Sequence, residues 1–152
     1  MRTGQKSSSI EQVLAEEKIF TLVEKSLNVS LEKNPKLYLS NNEYTYIQPD
    51  FYSEVEPIVG EIFAHIGNPK PAQNHKIAND ILKMLLLEKI TKQQYRKILV
   101  VCDEAEYKTL CGRSALAESI RQFDIEVLFI EVDGAMKTQL LEAQQRQKMI
   151  NA

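Results

Sequence analysis

Cysteine is scarce in this sequence, and the few that occur lack the spacing of a metal site. The 152 residues include two cysteines, Cys102 and Cys111. They form neither a CxxC pair nor the Cys/His pattern of a zinc site, so neither a structural zinc nor a disulfide framework is predicted. Free thiols are compatible with a reducing cytoplasm, which is the localisation that we expect. Cys102 ends an apolar run and is most simply a core residue.

Long apolar segments are absent as well. No apolar run approaches the roughly 20 residues that a membrane helix needs, so no membrane partner is expected. Residues 1–9 are polar and lack the apolar core of a signal peptide. With 43% hydrophobic and 26% charged residues, the composition is that of a soluble globular protein of one domain, long enough to bury a core.

Glycine is equally sparse, which excludes two large classes of nucleotide site. None of the five glycines belongs to a Gly-rich phosphate loop between a strand and a helix. Rossmann and P-loop sites therefore lack the residues that their chemistry requires. The sequence also shows no internal repeat.

The chain has no strong excess of one charge. A formal net charge of −2 and a pI near 5.8 argue against a large nonspecific nucleic-acid footprint. Average charge hides its distribution, however, and segment 69–97 contains seven basic residues against two acidic ones. A solvated helix face explains this excess as well as a phosphate-binding surface does.

The spacing of apolar residues predicts an α/β domain in the order α-β-β-β-α-β-α-β-α. Residues 1–8 are expected to be a disordered lead, residues 9–133 the α/β domain, and residues 134–152 a C-terminal helix that packs on the domain or on a partner. Helices are predicted over 10–27, 71–90 and 105–123, with an interruption near Gly112, and strands over 36–40, 43–48, 58–66, 97–102 and 125–132. The predicted buried stripe of the first helix comprises Ile10, Val13, Leu14, Phe20 and Leu27.

The strand predicted over 58–66 has an acid on an apolar face. Its alternation places Glu61 on the same side as Phe63 and His65. An ionised carboxylate at such a position is costly unless it is paired. An ion pair with Lys76 would satisfy Glu61 without any metal, and His65 is more often a hydrogen-bonded strand histidine than a ligand.

A second acid, Asp50, follows Pro49 after the strand predicted over 43–48. Proline stops ladder pairing, and an aspartate after it is a common turn residue. From neighbouring strands, Asp50 and Glu61 could supply the carboxylate oxygens that Mg²⁺ prefers. A nearby lysine would orient the attacking water and offset phosphate charge, as metal-dependent phosphodiester hydrolysis requires. Glu17, on the first helix, is an auxiliary acid for a metal-bound water or a second metal.

The helix predicted over 71–90 has a polar stripe made by Gln73, Lys76, Asp80 and Lys83. These residues recur at i, i+3, i+7 and i+10, so they share one helix face. Gln73 either contacts a phosphate or caps the helix. Asp80 is expected to pair with Lys76 or Lys83 at helical spacing, with no further role.

The residues Pro49-Asp50 and Glu61-Ile-Phe63, taken with the strand phase and the element order, resemble the PD-(D/E)xK nuclease superfamily. Its restriction-endonuclease-like order α-β-β-β-α-β matches residues 10–102. The resemblance implies an αβββαβ core with a mixed central sheet flanked by helices, extended here by an added αβ unit and a C-terminal helix. The segment that begins at Glu61 is similar to bacterial members of this fold.

The same resemblance implies roles for individual residues. Asp50 and Glu61 would bind Mg²⁺ or Mn²⁺, and the substrate would be nucleic acid, with DNA expected. The family's lysine belongs two residues after the second acid, where this chain has Phe63, so the motif is broken there. Several branches place the lysine on the following helix, and Lys76 is the candidate for such a migrated residue. The implied site comprises the catalytic residues Asp50, Glu61, Lys76 and Glu17 and the substrate-binding residues Gln73, His65 and Lys83.

Two alternatives remain open from the sequence. The missing lysine also fits a catalytically inactive nuclease-fold domain that binds nucleic acid or a protein partner. The helix over 136–150 has an apolar side that fits a homo-oligomeric structural module. A domain of this size would in any case need a partner or a homodimer for sequence specificity.

Overall fold

The structure is a computed structural model that describes residues 3–40, 43–67 and 69–150. Its helices in these ranges are α1 (Thr3–Leu27), α2 (Pro71–Thr91), α3 (Glu104–Leu110), α4 (Ala115–Gln122) and α5 (Gly134–Ile150). Its strands are β1 (Glu32–Lys33), β2 (Leu37–Tyr38), β3 (Tyr46–Ile47), β4 (Phe51–Ser53), β5 (Ile58–Phe63), β6 (Arg96–Val101) and β7 (Ile125–Phe129). From β5 onward the elements follow the predicted order, with the interruption near Gly112 separating α3 from α4.

The main sheet has five strands in the order β1-β4-β5-β6-β7. The pairs β1–β4 and β4–β5 are antiparallel, whereas β5–β6 and β6–β7 are parallel. The helix α2 connects β5 to its parallel neighbour β6, as a crossover between parallel strands must. An α/β class with a mixed sheet flanked by helices is thus confirmed.

Each face of the sheet has its own hydrophobic core. On one face, Ile58 and Ile62 of β5 pack in the same cluster as Ile19 of α1 and Leu140 of α5. On the opposite face lie residues of α2, α3 and α4. From Lys97 to its end, β6 is buried, as expected for a parallel strand that is covered on both sides.

The strand phase predicted around Glu61 is confirmed. Val59 and Phe63 belong to the core beneath α2, whereas Ile58 and Ile62 belong to the core beneath α1. Because side chains alternate along a strand, Glu61 lies on the α2 side of the sheet. This phase gives Glu61 access to residues of α2.

The strands before β5 differ from the prediction. The predicted hairpin forms from β2 and β3, which pair antiparallel, but it is a separate two-stranded sheet, and its predicted turn at 41–42 lies outside the described residues. The antiparallel partner of β5 in the main sheet is instead β4, which pairs in turn with β1, and neither strand was predicted. With three and two residues, these strands are too short to show a period in the sequence. Asp50 consequently precedes a strand instead of following one.

The predicted face of α1 was wrong for its first three residues, whereas Phe20 and Leu27 pack against the core as predicted. The helix begins at Thr3, within the segment predicted to be disordered, and its residues Ile10, Val13 and Leu14 are about half exposed. Its buried face is formed by Ala15, Ile19 and Val23. These three residues recur at i, i+4 and i+8, so they share one side of the helix.

Helix α5 packs on the domain, which is one of the two predicted arrangements. Met136, Leu140 and Ala143 are its buried residues, and it lies against α1. The side chain of Gln144 accepts a hydrogen bond from the N–H of Ile66 at 2.9 Å and donates one to the carbonyl of Ile66 at 3.1 Å.

No helix formed by the described residues is both long and apolar enough to cross a membrane. Cys102 is buried, as predicted.

Candidate functional site

Asp50 and Glu61 come opposite each other on adjacent strands. Phe51 of β4 pairs with Gly60 of β5, so the next position along this antiparallel pair brings Asp50 to Glu61. The carboxylate of Asp50 accepts a hydrogen bond from the N–H of Ile62 at 2.7 Å. That bond fixes Asp50 against β5 although it lies just outside the ladder.

Gly60 is required for this strand pair to close. A Cβ atom on Gly60 would lie 2.0 Å from Cζ of the Phe51 ring, well inside van der Waals contact. The ring of Phe51 is fully buried across this glycine. Packing one residue along from Asp50 and Glu61 therefore helps to set the register that makes them neighbours.

The environment of Glu61 favours its protonated form. Burial raises the pKa of Glu61 most, followed by the charge of Asp50, a hydrogen bond with the Asp50 carboxyl group and the charge of Asp80. Only Lys76 acts in the opposite direction among the causes that shift this pKa. A hydrogen bond between two carboxyl groups needs a shared proton. A bound cation could replace that proton and let both groups ionise.

Asp80 joins the pair from α2. It is 6% exposed, its Oδ2 atom has no hydrogen-bond partner, and Nζ of Lys83 lies 3.9 Å from Oδ1. Burial raises the pKa of Asp80, and the charges of Lys76 and Lys83 oppose that shift. The sequence predicted only pairing between Asp80 and a lysine of its own helix. The structure adds its electrostatic contact with Glu61.

Lys76 lies among these acids, above the residue that interrupts the motif. Its Nζ atom is 5.5 Å from the centroid of the Phe63 ring, which is within the range of a cation–π contact. Its positive charge lowers the pKa of Glu61, Asp80 and Glu16. The charge of Lys76 therefore acts on these carboxyl groups from α2.

Of the two neighbouring acids of α1, Glu16 lies toward Asp50 and Lys76, and Glu17 does not. Glu17 is about half exposed and pairs with Lys33 at 3.2 Å, so it lies outside the cluster. Burial raises the pKa of Glu16, and the charges of Asp50 and Lys76 also act on it. The reason is the corrected phase of α1, whose buried face turns Glu16 toward β5 and leaves Glu17 in solvent.

A cleft of about 310 Å³ lies beside these residues, and two of the three predicted substrate-binding residues line it. His65 and Gln73 line it together with Lys76. Oε1 of Gln73 also accepts the N–H of Lys70 at 2.7 Å and so helps to cap α2. Burial lowers the pKa of His65. Lys83 does not line this cleft; it is half exposed beside Asp80.

Three acidic residues near the cleft were not predicted from the sequence to belong to the site. Glu16 could have been found from its helical spacing with Gln12, which donates to it at 3.3 Å. Asp80 stands one turn after Lys76 and was assigned only to its helix. Glu106 of α3 is 1% exposed and lines the cleft, and no local pattern in the sequence singles it out.

The donors near Asp50 fit a cation that keeps much of its water. Among residues 3–40, 43–67 and 69–150, no three His, Cys, Asp or Glu side chains form a group that could hold a metal ion. Asp50 and Glu61 do form a carboxyl pair, and Mg²⁺ is commonly held by one or two carboxylates plus waters. A cation bound here would lie between these two carboxyl groups.

Comparisons with protein-family models, with curated proteins and with solved structures found no match. Function is therefore inferred from the side chains themselves. Asp50, Glu61, Asp80 and Glu16 supply the acidic groups, and Lys76 supplies the positive charge that faces them.

Proposed function

We propose that this chain is a metal-dependent nuclease-like domain that hydrolyses phosphodiester bonds in nucleic acid, with DNA as the substrate. The observation that supports this most is the carboxyl pair of Asp50 and Glu61, which faces Lys76. A cluster of acids around one lysine, beside an open cleft, suits a site that binds a cation and a phosphate together.

The element order supports a restriction-endonuclease-like core. Helix α1, strands β1, β4 and β5, helix α2 and strand β6 follow one another as α-β-β-β-α-β. The hairpin β2–β3 is an insertion between β1 and β4 in this scheme. The remaining elements, from α3 to α5, add one parallel strand and the helices that flank it.

In this proposal Asp50 and Glu61 hold Mg²⁺ or Mn²⁺. When bound, the ion would supply a more acidic water and stabilise charge on the phosphorus. The carboxylate of Asp50 is already oriented for metal binding, because it accepts a hydrogen bond from the Ile62 N–H. Glu61 would exchange its proton for the cation.

The remaining residues act on the substrate and the attacking water. Lys76 offsets phosphate charge and orients the water, with Phe63 beneath its ammonium group. Gln73 and His65 line the cleft where the nucleic acid would lie. Glu16 approaches from α1 and is placed to accept a hydrogen bond from a water near Asp50.

Metal binding is the first test. Mg²⁺ and Mn²⁺ are titrated calorimetrically into wild type, Asp50→Asn and the control Asp124→Asn, which changes an exposed aspartate in the same way. We expect binding by wild type and by the control, and loss of binding in Asp50→Asn. Absence of metal binding by wild type at millimolar metal concentration would refute the proposal.

Cleavage is the second test. Single- and double-stranded DNA and RNA are incubated with wild type, Lys76→Ala and Lys108→Ala, the last being an exposed lysine that pairs only with Glu104 on α3. Metal-dependent cleavage by wild type and Lys108→Ala, but not by Lys76→Ala, is the expected result. Equal activity of all three would remove Lys76 from the mechanism.

Phe63 at the lysine position favours a second candidate, a non-catalytic domain that keeps the fold and binds nucleic acid or a protein partner. If this second candidate is right, the protein binds nucleic acid but does not cleave it under any metal condition. The same incubations, followed by a gel-shift measurement, distinguish the two. Size-exclusion chromatography with and without DNA reports whether a homodimer forms.

A further inference from the structure

Glu106 is a buried acid that the proposed hydrolysis does not use. It is 1% exposed, and its Oε2 atom is sealed from solvent without a hydrogen-bond partner. Asp103 caps α3 by accepting the N–H groups of Ala105 and Glu106, so the backbone of Glu106 is satisfied while its side chain is not. A buried carboxyl group without a partner costs free energy that a bound ligand could recover.

The side chain of Glu106 lines the same cleft as Lys76. The cleft lies at the carboxyl ends of the parallel strands β5 and β6, which is where open α/β sheets bind ligands. Its volume of about 310 Å³ is at the lower end of the range for small-molecule sites. A ligand that fills the cleft would touch the ammonium group of Lys76 at one wall and the unpartnered carboxyl group of Glu106 at another.

The rest of the lining is rich in amide groups. Four glutamines contribute, from α1, α2 and α5: Gln12, Gln73, Gln144 and Gln147. Amide and carboxyl groups are the side chains that hydrogen-bond to the edges of nucleobases, and a carboxylate accepts the exocyclic amino group of cytosine. Burial, followed by the charge of Asp103, raises the pKa of Glu106 to about 7. Its ionised form, present above that pH, accepts from the exocyclic amino group of cytosine and has no proton to donate to the carbonyl oxygen that uracil has in its place.

We propose that this cleft is a nucleobase subsite in which Glu106 recognises the exocyclic amino group of an unpaired base. The inference rests on the proposed function, because it places the phosphate of the same nucleotide near Lys76. It names a preference that hydrolysis alone does not require: cytosine is accepted, and uracil, which has an oxygen in place of the amino group, is disfavoured.

Cytidine and uridine 5′-monophosphate are the probes, since they differ in the exocyclic group at that position of the base and in the adjacent ring nitrogen, which bears a proton in uracil. Each is titrated into wild-type protein in EDTA, with affinity measured by calorimetry or by NMR shifts. We expect cytidine monophosphate to bind roughly tenfold more tightly, the lower part of the range for one specific base contact. Equal affinities, or no binding of either at millimolar concentration, would overturn the subsite.

Variants separate the hydrogen bond from packing. Glu106→Leu should lose the preference for cytidine, and Glu106→Gln should reduce it, because an amide accepts from the amino group of cytosine but can also donate to the carbonyl oxygen of uracil. Glu104→Leu, on an exposed position of α3, is the matched control and should behave as wild type. Retention of the preference in Glu106→Leu would refute the assignment.

The outcome is separable from that of the nuclease proposal. The titrations contain no metal, so their result does not depend on hydrolysis. A preference without cleavage would leave the subsite standing and remove the hydrolysis. Cleavage without a preference would support the hydrolysis and refute the subsite.

Discussion

The ammonium group of Lys76 lies 5.5 Å from the centroid of the Phe63 ring, and Phe63 occupies the position two residues after Glu61. The residue that breaks the motif therefore lies beneath the lysine that would replace the missing one. Phe63 is also buried in the core beneath α2, so its ring is held rigidly. A fixed aromatic face reduces the freedom of a long lysine side chain.

Removing the ring should weaken the action of Lys76. Phe63→Leu keeps an apolar side chain in the core but abolishes the cation–π contact, worth about 1 kcal/mol, and we expect cleavage to slow roughly fivefold. Metal affinity measured by calorimetry should not change. In a Lys76→Ala background, Phe63→Leu should have no further effect on cleavage, and an additional loss there would contradict the coupling.

The two neighbouring acids of α1 should differ sharply. Glu16→Gln removes a charge that acts together with Asp50 and Lys76, and we expect a loss of roughly tenfold in cleavage rate, as for groups that support a metal site. Glu17→Gln changes only an exposed pair with Lys33 and should leave the rate nearly unchanged. Equal effects of the two substitutions would show that the corrected phase of α1 has no functional meaning.

Stability should depend on pH through Glu106. Its pKa is raised from 4.5 to about 7 in the folded state, so the folded protein holds this proton more tightly than the unfolded chain does. The stability that this proton provides is present below pH 4.5 and is lost as the pH rises through about 7. Above that pH the loss amounts to roughly 3 kcal/mol, since one pKa unit corresponds to about 1.4 kcal/mol.

Glu106→Gln should abolish this dependence. Urea unfolding at about pH 5 and about pH 8 should show that the variant gains stability relative to wild type at the higher pH. Glu104→Gln, at an exposed position, should follow the wild-type curve. A pH dependence that is the same in wild type and Glu106→Gln would mean that the carboxyl group is solvated in solution.

The strand register should be sensitive to a single methyl group. Gly60→Ala places a Cβ atom against the buried Phe51 ring, and such overpacking typically costs about 1–3 kcal/mol. Thermal unfolding should show the loss. The double variant Gly60→Ala/Phe51→Leu should recover part of it, whereas no destabilisation by Gly60→Ala would mean that the ring is free to move.

The face of Glu61 could be predicted because β5 has six residues, enough for the two-residue period of a strand to fix which side chains share a face. The position of Asp50 relative to its strand could not, since β4 has three residues and its register depends on the contact between Phe51 and Gly60. The face of α1 was wrong because its larger apolar residues near the start lie outside the core, while the small Ala15 lies within it. Burial of this kind is decided by packing partners, which periodicity does not reveal.

The pair of hydrogen bonds between Gln144 and the backbone of Ile66 makes the C-terminal helix a wall of the cleft. Gln144 and Gln147 of α5 line it directly, so the predicted division between residues 133 and 134 passes through the site. A chain shortened before Gly134 would be expected to lose the wall that Gln144 and Gln147 provide and to leave Lys76 on a more open surface. The last helix would then govern which ligands remain in the cleft, while the acids and the lysine govern what happens to them.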